Sequence, residues 1–597
     1  MKLSDYVAEF IAGLGIRHVF MLPGGFAMHL NDSIGRCSSL TFICNLHEQA
    51  CAIAAEAYAR VTNEIGVAMV TAGPGGTNAI TGLAAAWLDS TPCLFLSGQA
   101  KRADISGNLG VRQLGIQELD IVSIVRPITK YAVTVIDPDS IRYHLEKGVY
   151  LARTGRPGPV WIDIPLDVQA ATIDPQNLQG FRPEQKGSSA AGDNLKEFAE
   201  ETIRLLSGAS RPVILAGNGV RLSRAQDSFL KLVDRLGIPV LTTRLGVDLI
   251  PSSHPLSFGI PGSIASRGAN FTLQNSDWLL ILGARLDRAL VAFAPERLAR
   301  AAKKIMVDID AAEIGKLTPY IDIPVHSDVH SFIRLLLDSP GTKAKDCSGW
   351  TDRCSQWKVR YPFVLPEHFS SRDGISVYAF ADILSSLLEE GDVILPGNAG
   401  NASEIFLTAF KVKAGQRVFH NKGTGAMGFS QPAAIGACLA SGGKRTVCVD
   451  GDGGFQLNVQ ELETIRRLNL PIKFFVMNNG GYASIRASQM GSFGRTTAAD
   501  ATSGMTLPSI LNQAASYGIP SFRIDNPGHL KEGIEKVLNG GGPGICEVLV
   551  IRDEIRSPRV STIQHADGSI SSKPLEDMWP FLDREEFLSN MLIEPLK

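Results

Sequence analysis

The stretch TVCVDGDGGFQLNVQELETIRRLNLPIKFFVMNN, residues 446–479, decides the fold. Thr446 to Val449 is a β-branched run of the length of a buried strand. The chain then turns through Asp450, Gly451, Asp452, Gly453 and Gly454. Val459, Leu462, Ile465 and Leu468 follow at helical spacing, so the turn leads into a helix. Ile472 to Met477 is a second apolar strand, and it ends in Asn478-Asn479. The unit is strand, loop, helix, strand, with oxygen-bearing side chains at both strand ends.

That arrangement suits a diphosphate held by a hard cation. Glycines let backbone approach phosphate oxygens, and a helix N-terminus offers free N–H groups at the positive end of its dipole. Asp452 and the Asn479 amide are oxygen ligands, which favours Mg2+ over zinc. The plain alternative is two Gly/Asn turns in an ordinary α/β domain. A GDG turn followed by a helix and a strand ending in NN is a much rarer combination.

Working outward, residues 1 to about 175 alternate strands and helices. His18 to Leu22 leads into Pro23-Gly24-Gly25, Gly66 to Val70 into Gly73-Pro74-Gly75-Gly76, and Cys93 to Ser97 into Gly98-Gln99. Strands that end in Gly-rich turns predict a parallel sheet with a site along its carboxyl edge. Between the first two lies HEQACAIAAEAYAR, residues 47–60, an alanine-rich helix expected to be buried on most of its surface. Glu48 at its start is either a solvated carboxylate or a buried one that needs a hydrogen-bond partner.

A polar, Gly/Ser/Pro-rich stretch from about 176 to 195 reads as a linker. A second α/β segment, 190–340, has strands Pro212–Ala216, Trp278–Leu282 and Lys304–Val307. Gly217-Asn218-Gly219 after the first of these is only a fragment of a dinucleotide fingerprint. A second linker is expected from about Ser339 to Gly374. The third segment, 370–555, carries Gly423 to Phe429 and the small-residue helix PAAIGACLA ahead of the opening stretch. Residues 556–597 read as a loop-rich arm with a closing helix.

Composition narrows the partners. The chain has 597 residues, 44% apolar, with a formal net charge of -2. Several domains with large cores are expected, and neither nucleic acid nor an acidic membrane is a partner such a surface favours. No apolar run spans a bilayer. The N-terminus reads as an amphipathic helix, not a signal peptide. Scattered cysteines with no CxxC pair point to reduced thiols and a cytoplasmic setting.

Taken together, PGG at 23–25, HEQACAIAAEAYAR, TAGPGGTNAITGLAAAW, TGRPGPVWIDIPLDV, GAMGFSQPAAIGA and the GDG stretch resemble the acetolactate-synthase-like branch of thiamine-diphosphate enzymes. Within it, GGFAMHLNDSIG, LGVRQLGIQELDIV, RPITKYAV and the RSPR…MWPFLDREEF tail look most like enzymes that add a two-carbon unit from pyruvate to a nucleotide-linked keto sugar, as in yersiniose synthesis. The resemblance implies three doubly wound parallel-sheet domains: pyrimidine, central and diphosphate-binding. It implies a homodimer at minimum, with tetramers common.

It also implies roles. Glu48 would bond N1′ of the aminopyrimidine, with Gly25 and Gln117 beside the reacting centre. Gly425, Met427, Gly451, Gly453 and Gly454 would hold thiamine diphosphate; Asp452, Asn479 and the Gly481 carbonyl would hold Mg2+. Arg156, Gly217, Asn218, Gly219, Thr243, Gly262, Gly283, Arg285, Asp308, Ile309 and Asp328 match the family's FAD pattern, and any FAD would be non-redox. Related synthases carry Phe and Trp where this chain has Ile116 and Ser488. That loss of bulk implies an acceptor larger than pyruvate, such as a CDP-4-keto-3,6-dideoxy sugar. The alternative is an acetolactate synthase joining two 2-keto acids. His29, His47 and His420 could relay protons, or could be structural.

Overall fold

The computed structural model describes residues 1–183, 191–398, 400–564, 567, 568 and 570–596. Three parallel sheets with helices on both faces build the chain, one in each predicted segment. The first holds β1 (His18–Met21), β2 (Thr41–Cys44), β3 (Gly66–Val70), β4 (Cys93–Gln99), β5 (Tyr131–Thr134) and β6 (Val160–Pro165). The second holds β7 (Pro212–Ala216), β8 (Val240–Thr242), β9 (Trp278–Leu282), β10 (Lys303–Asp308) and β11 (Ile323–His326). The third holds β12 (Val393–Pro396), β13 (Arg417–Val418), β14 (Thr446–Gly451), β15 (Ile472–Asn478), β16 (Ser521–Ile524) and β17 (Gly544–Leu549).

The first sheet runs β2-β1-β3-β4-β6-β5 and the third β13-β12-β14-β15-β17-β16, the same order element for element. The second runs β11-β10-β9-β7-β8. Each sheet has a switch point where the connections turn to opposite sides, between β1 and β3, β7 and β9, and β12 and β14. Such switch points leave a crevice beyond the carboxyl ends of the strands. The glycine-rich loops sit there. The central strands β3, β4, β9 and β14 are buried along their whole length, as parallel strands covered by helices must be.

The alanine-rich helix Glu48–Thr62 is buried from Ala50 to Arg60 because it packs against two neighbours at once. Gly82 on the helix Pro74–Leu88 lies against Ala52, where an added Cβ would stand 2.4 Å from the Ala52 side chain. On its other side the helix Ser430–Ala440 brings Gly436 so close that a Cβ would stand 2.0 Å from the Ala54 carbonyl oxygen. This contact joins the first and third sheets into one core.

Buried ion pairs lock the same junction. Arg60 donates to Glu56 Oε1 and to Asp89 Oδ2, the latter at 2.6 Å, and its Nη1 reaches the His420 carbonyl at 3.2 Å. Asp89 also accepts from the Asn421 amide and the Lys422 N–H, each at 3.0 Å. The central sheet is tied in by Asp248, a fully buried carboxylate that meets Arg417 at 2.7 Å and Arg221 at 2.9 Å.

Several expectations change. The opening unit has two helices between its strands, Asp452–Gln456 and Glu461–Arg467, so Gly453 and Gly454 are helical residues and not part of a turn. The first linker overlaps a helix that begins at Ala191, and residues 184–190 lie outside the described residues. The second linker contains a helix, Ser348–Arg360. Its Trp350, Cys354 and Trp357 recur at helical spacing and are buried against the central domain. The tail is not a free arm: Leu575 and Phe587 enter the central core, and Asn270, Gln274 and Trp357 donate to Leu575 O, Glu576 Oε2 and Asn590 Oδ1, each at 2.8 Å. Polar composition concealed this, because the partners, two side-chain amides and an indole, lie on distant helices.

Gly436→Leu should therefore destabilise the chain by overpacking, a change that typically costs about 1–3 kcal/mol. Denaturant unfolding followed by fluorescence should show a lower midpoint, whereas Gly442→Ala, at a site with nothing within 4 Å but a positive φ of 74°, should produce a smaller loss.

Candidate active site

Two half-sites stand at equivalent switch points of the first and third sheets. In the third sheet, β14 ends at Gly451 and the helix Asp452–Gln456 starts at once, so the Asp452 side chain lies where strand and helix meet. Asp452 Oδ2 accepts from the Gly481 N–H at 2.9 Å and Oδ1 from the Gly453 N–H at 3.0 Å. Asn479, just past β15, has a buried Oδ1 with no hydrogen-bond partner. An unpaired buried amide oxygen beside a buried carboxylate is what an oxygen-seeking cation would satisfy.

Burial pushes the carboxyls of Asp450 and Asp452 up to about 6 each, against opposing hydrogen bonds. Asp450 is held by Ser430 Oγ at 2.8 Å and by the Gly451 N–H at 2.8 Å, which leaves Asp452 the carboxylate on the cavity side. No cluster of three His, Cys, Asp or Glu exists among the described residues. A cation here would rely on one carboxylate with amide and carbonyl oxygens, a set that suits Mg2+.

Met427, Gly451, Asp452, Gly453, Gly454, Asn479 and Gly481 together line one cavity of about 180 Å3. Gly453 is fixed by a neighbour the sequence did not suggest: an added Cβ would stand 2.2 Å from the Tyr482 ring. Gly425 lines a separate, adjoining cavity with Asn398, Gly400 and Ser484. Seven of the expected cofactor and cation residues thus share one cavity, and Gly425 lies outside it.

In the first sheet, Glu48 is 8% exposed and its Oε2 accepts from the Asn78 amide at 3.0 Å. Asn78 was not foreseen; it sits on a different helix, and no local pattern connects the two. Gln117 has a φ of 59° and its backbone packs on Gly73. The neighbouring Glu118 is buried and pins the loop by accepting from the Ser106 hydroxyl at 2.8 Å and the Leu114 N–H at 3.1 Å. Gln117 is thereby presented and Glu118 is structural. Gly25 has open space around it, whereas Gly24 faces Thr71 so closely that a Cβ would stand 2.5 Å away. Ile116 is 82% exposed, and Ser488 is exposed on the helix Ala483–Phe493.

The three histidines divide. His47 caps its helix, its Nδ1 accepting from the Gln49 N–H at 3.0 Å, which is a structural role. His420 is buried with an unpartnered Nε2. His29 is half-buried on the helix Met28–Arg36.

At the central switch point a cavity of about 680 Å3 opens. Arg156, Asn218, Gly219, Thr243, Gly283, Arg285, Asp308, Ile309 and Asp328 line it, with Asp89 and Lys422 from the other two domains. Gly217 and Gly262 do not. Gly217 instead makes room for the Gly283 carbonyl, 2.2 Å from where its Cβ would stand, and Gly262 is pinned by Asn270 Oδ1 at 2.9 Å. Arg156 is engaged by Asp310 at 3.0 Å and Glu313 at 2.8 Å. The Asn218 Oδ1 is buried and unpartnered, and burial raises the Asp308 carboxyl.

Three switch-point crevices, one with an oxygen-ligand set and one with a buried glutamate, define a three-domain α/β enzyme built around a diphosphate-bearing cofactor. Models of thiamine pyrophosphate enzymes match all three parts: the N-terminal TPP binding domain over residues 1–124, the central domain over 199–336, and the C-terminal TPP binding domain over 398–548. The acetolactate synthase large subunit of Lactococcus lactis is 34% identical, covering 95% of this chain and 96% of that protein. Acetolactate synthase 2 of Zea mays is 32% identical over 94% of this chain and 87% of its own, and the probable large subunit of Methanocaldococcus jannaschii is 32% identical over 92% of each. The chain belongs to the thiamine pyrophosphate enzyme family. It is an acetolactate-synthase-like, thiamine-diphosphate-dependent transferase. No described helix is long and apolar enough to cross a membrane.

Asp452→Ala should remove the one carboxylate among the described residues that lines this cavity. Thiamine diphosphate affinity, read by fluorescence quenching at fixed Mg2+, should fall at least tenfold, or about 1.4 kcal/mol, while the melting profile of the cofactor-free chain stays close to that of the parent.

Proposed function

We propose that this chain is a carboligase that removes CO2 from pyruvate and joins the remaining two-carbon unit to the carbonyl of a second 2-keto acid. The observation that carries it is the pair of half-sites at equivalent switch points, on a chain similar over nearly its whole length to acetolactate synthases. When bound, thiamine diphosphate supplies the electron sink for the carbon–carbon bond that breaks. The chain's residues do the rest.

Asp452, Asn479 and the Gly481 carbonyl would hold Mg2+, and Gly451, Gly453 and Gly454 would let backbone approach the diphosphate. Met427 would support the cofactor, and Gly425 would offer a carbonyl to its amino group. Glu48 holds a proton at N1′ of the aminopyrimidine, with Asn78 fixing the carboxylate that does so. Gly25 and Gln117 border the reacting carbonyl. Glu48 does not line the cavity of Asp452 within one chain. Completing the site therefore takes a second copy, so a homodimer is the smallest active unit in this reading, with a tetramer as the larger form. Exposed apolar side chains on both half-sites, Leu109 at 66%, Ile116 at 82% and Phe493 at 73%, give that copy surface to cover and so exclude water.

The central cavity is assigned to FAD in a non-redox role, since joining pyruvate to a ketone moves no net electrons. Its size and the orphaned Asn218 amide oxygen support that reading. A second reading of the acceptor, a nucleotide-linked keto sugar, is favoured by the smaller side chains of Ile116 and Ser488, where relatives in the resemblance carry aromatic bulk.

Glu48→Gln should keep cofactor binding and lower pyruvate consumption at least about a hundredfold, the lower end of what a positioned acid or base contributes. Near-parental turnover would remove Glu48 from the account.

The two acceptors are separated by Ile116→Phe combined with Ser488→Trp. Both reactions share the pyruvate step, so their ratio under competition reports the acceptor step alone. If the acceptor is a sugar, restored bulk should cut its use by roughly a hundredfold relative to pyruvate–pyruvate ligation, a clash of about 2.7 kcal/mol. An acetolactate synthase should instead show acetolactate as its main product before and after the substitution.

A further inference from the structure

The first sheet buries a carboxylate that no step above uses. Asp163, in β6, is 1% exposed. Its Oδ1 accepts from the Ser97 hydroxyl at 2.6 Å. Its Oδ2 accepts from the Thr134 hydroxyl and the Gln99 amide, each at 3.1 Å. None of these donors is cationic. Burial pushes the carboxyl up to about 7 against the hydrogen bonds it accepts. An unpaired carboxylate is a costly way to fill a core, so its acceptor oxygens need a use.

Gln99 supplies that use. It is buried at the last position of β4. The amide nitrogen that donates to Asp163 also donates to the Leu119 carbonyl at 2.8 Å. The amide oxygen accepts from the Ala100 N–H at 3.0 Å. Both ends of the amide are engaged, and the carboxylate sets which end faces Leu119. Leu119 closes the loop 105–118. Leu109, Val111, Leu114 and Ile116 of that loop are half exposed or more, so apolar burial does little to hold it. Glu118 gathers the loop through Ser106 and Leu114, which ties it to itself and not to the sheet. Among the described residues, the hydrogen bond that joins its closing end to the sheet is the one from Gln99.

We infer that Asp163 is a positioning residue: acting through Gln99 and the Leu119 carbonyl, it fixes the base of the loop that carries Ile116 and Gln117. Gln117 holds a φ of 59° with its backbone against Gly73. A residue with a Cβ keeps such a conformation only where its surroundings over-determine it, and an anchor two positions on contributes to that. Glu48 is fixed separately, by Asn78. The anchor therefore bears on where the acceptor sits and not on the glutamate. The anchoring stands on the contacts alone; its effect on the acceptor rests on the carboligase reading.

The full-length protein, loaded with thiamine diphosphate, Mg2+ and FAD, is followed by hydrogen exchange over residues 105–119. Gln99→Leu and Asp163→Ala should each speed exchange there roughly fivefold, as the loss of one net hydrogen bond allows. Asp163→Asn still offers an oxygen to Gln99 and should keep the parental rate. Thr134→Val removes a different donor from the same carboxylate; it should lower the melting temperature yet leave the loop unchanged. Loop exchange that no variant alters, or that Thr134→Val raises as much as Gln99→Leu, overturns the inference. Loosening by Gln99→Leu alone, with Asp163→Ala folded and tight, removes Asp163 from it. If Asp163→Ala does not fold, Gln99→Leu and Asp163→Asn decide. A second arm measures the fate of the two-carbon unit from pyruvate, which leaves as acetaldehyde when it takes a proton in place of the acceptor. Gln99→Leu should raise the ratio of acetaldehyde to ligated product roughly fivefold, and should add nothing once Gln117→Ala is present. A loosened loop with an unchanged ratio overturns the positioning role. A parent that consumes no pyruvate sinks the carboligase reading, while exchange still decides the anchor.

Discussion

The approach of Gly436 to the Ala54 carbonyl is the constraint on which the rest of this structure depends. Two helices can come this close only if both faces are lined by small residues, because a methyl group at the contact would overlap backbone. That explains why the helix Glu48–Thr62 is almost all alanine and why its partner reads PAAIGACLA. The contact sets the distance between the first and third sheets, and with it the place of every loop on their carboxyl edges. Arg60 then works as a clasp: fully buried, it binds Glu56 and Asp89 on its own domain and the His420 carbonyl on the other. A buried ion network of this kind adds little net stability over an apolar core, yet losing one partner strands a charge. Its effect is to specify one arrangement of the two domains.

The three crevices share a cause. A doubly wound parallel sheet has a switch point where connections turn to opposite sides, and there neighbouring loops part and leave a gap beyond the strand ends. The first and third sheets have the same strand order, so their gaps are equivalent, yet they are furnished differently. One carries a buried glutamate and an amide; the other carries a carboxylate, an amide oxygen and glycine backbone. Acid–base groups on one edge and oxygen ligands on the other are what a cofactor with a basic ring at one end and a diphosphate at the other requires. Side chains of all three domains, Asp89, Arg285 and Lys422 among them, line the central gap of about 680 Å3 without filling it.

Much of this was legible in sequence, for a local reason. Val213, Leu215, Leu279 and Ile281 predict β7 and β9 because buried parallel strands are unbroken apolar runs. The GDG stretch carries its own chemistry within 34 residues, and Asp452, Asn479 and Gly481 do line one cavity. Where readings failed, the deciding partner was remote. The stretch Ser348–Arg360 looked like a linker because its charged face dominates the composition; Trp350 and Trp357 become intelligible only against the helix Arg267–Gln274. Glycines at 217 and 262 looked like ligand contacts and instead accommodate backbone and an asparagine.

What the sequence by itself determined is the set of elements and the chemical type of each loop: parallel strands, small-residue helices, a glutamate at one helix start and hard oxygen ligands after a GDG turn. Periodicity and residue chemistry are carried by neighbours a few positions apart, so they survive without coordinates. Only the tertiary structure decided which groups share a cavity. Asn78 meets Glu48, Tyr482 meets Gly453, and Arg244, Lys422 and Arg556 converge from three places because helix packing and strand order bring them together. Those distances depend on how closely two helices can approach, a property of pairs far apart in the chain that no local pattern records.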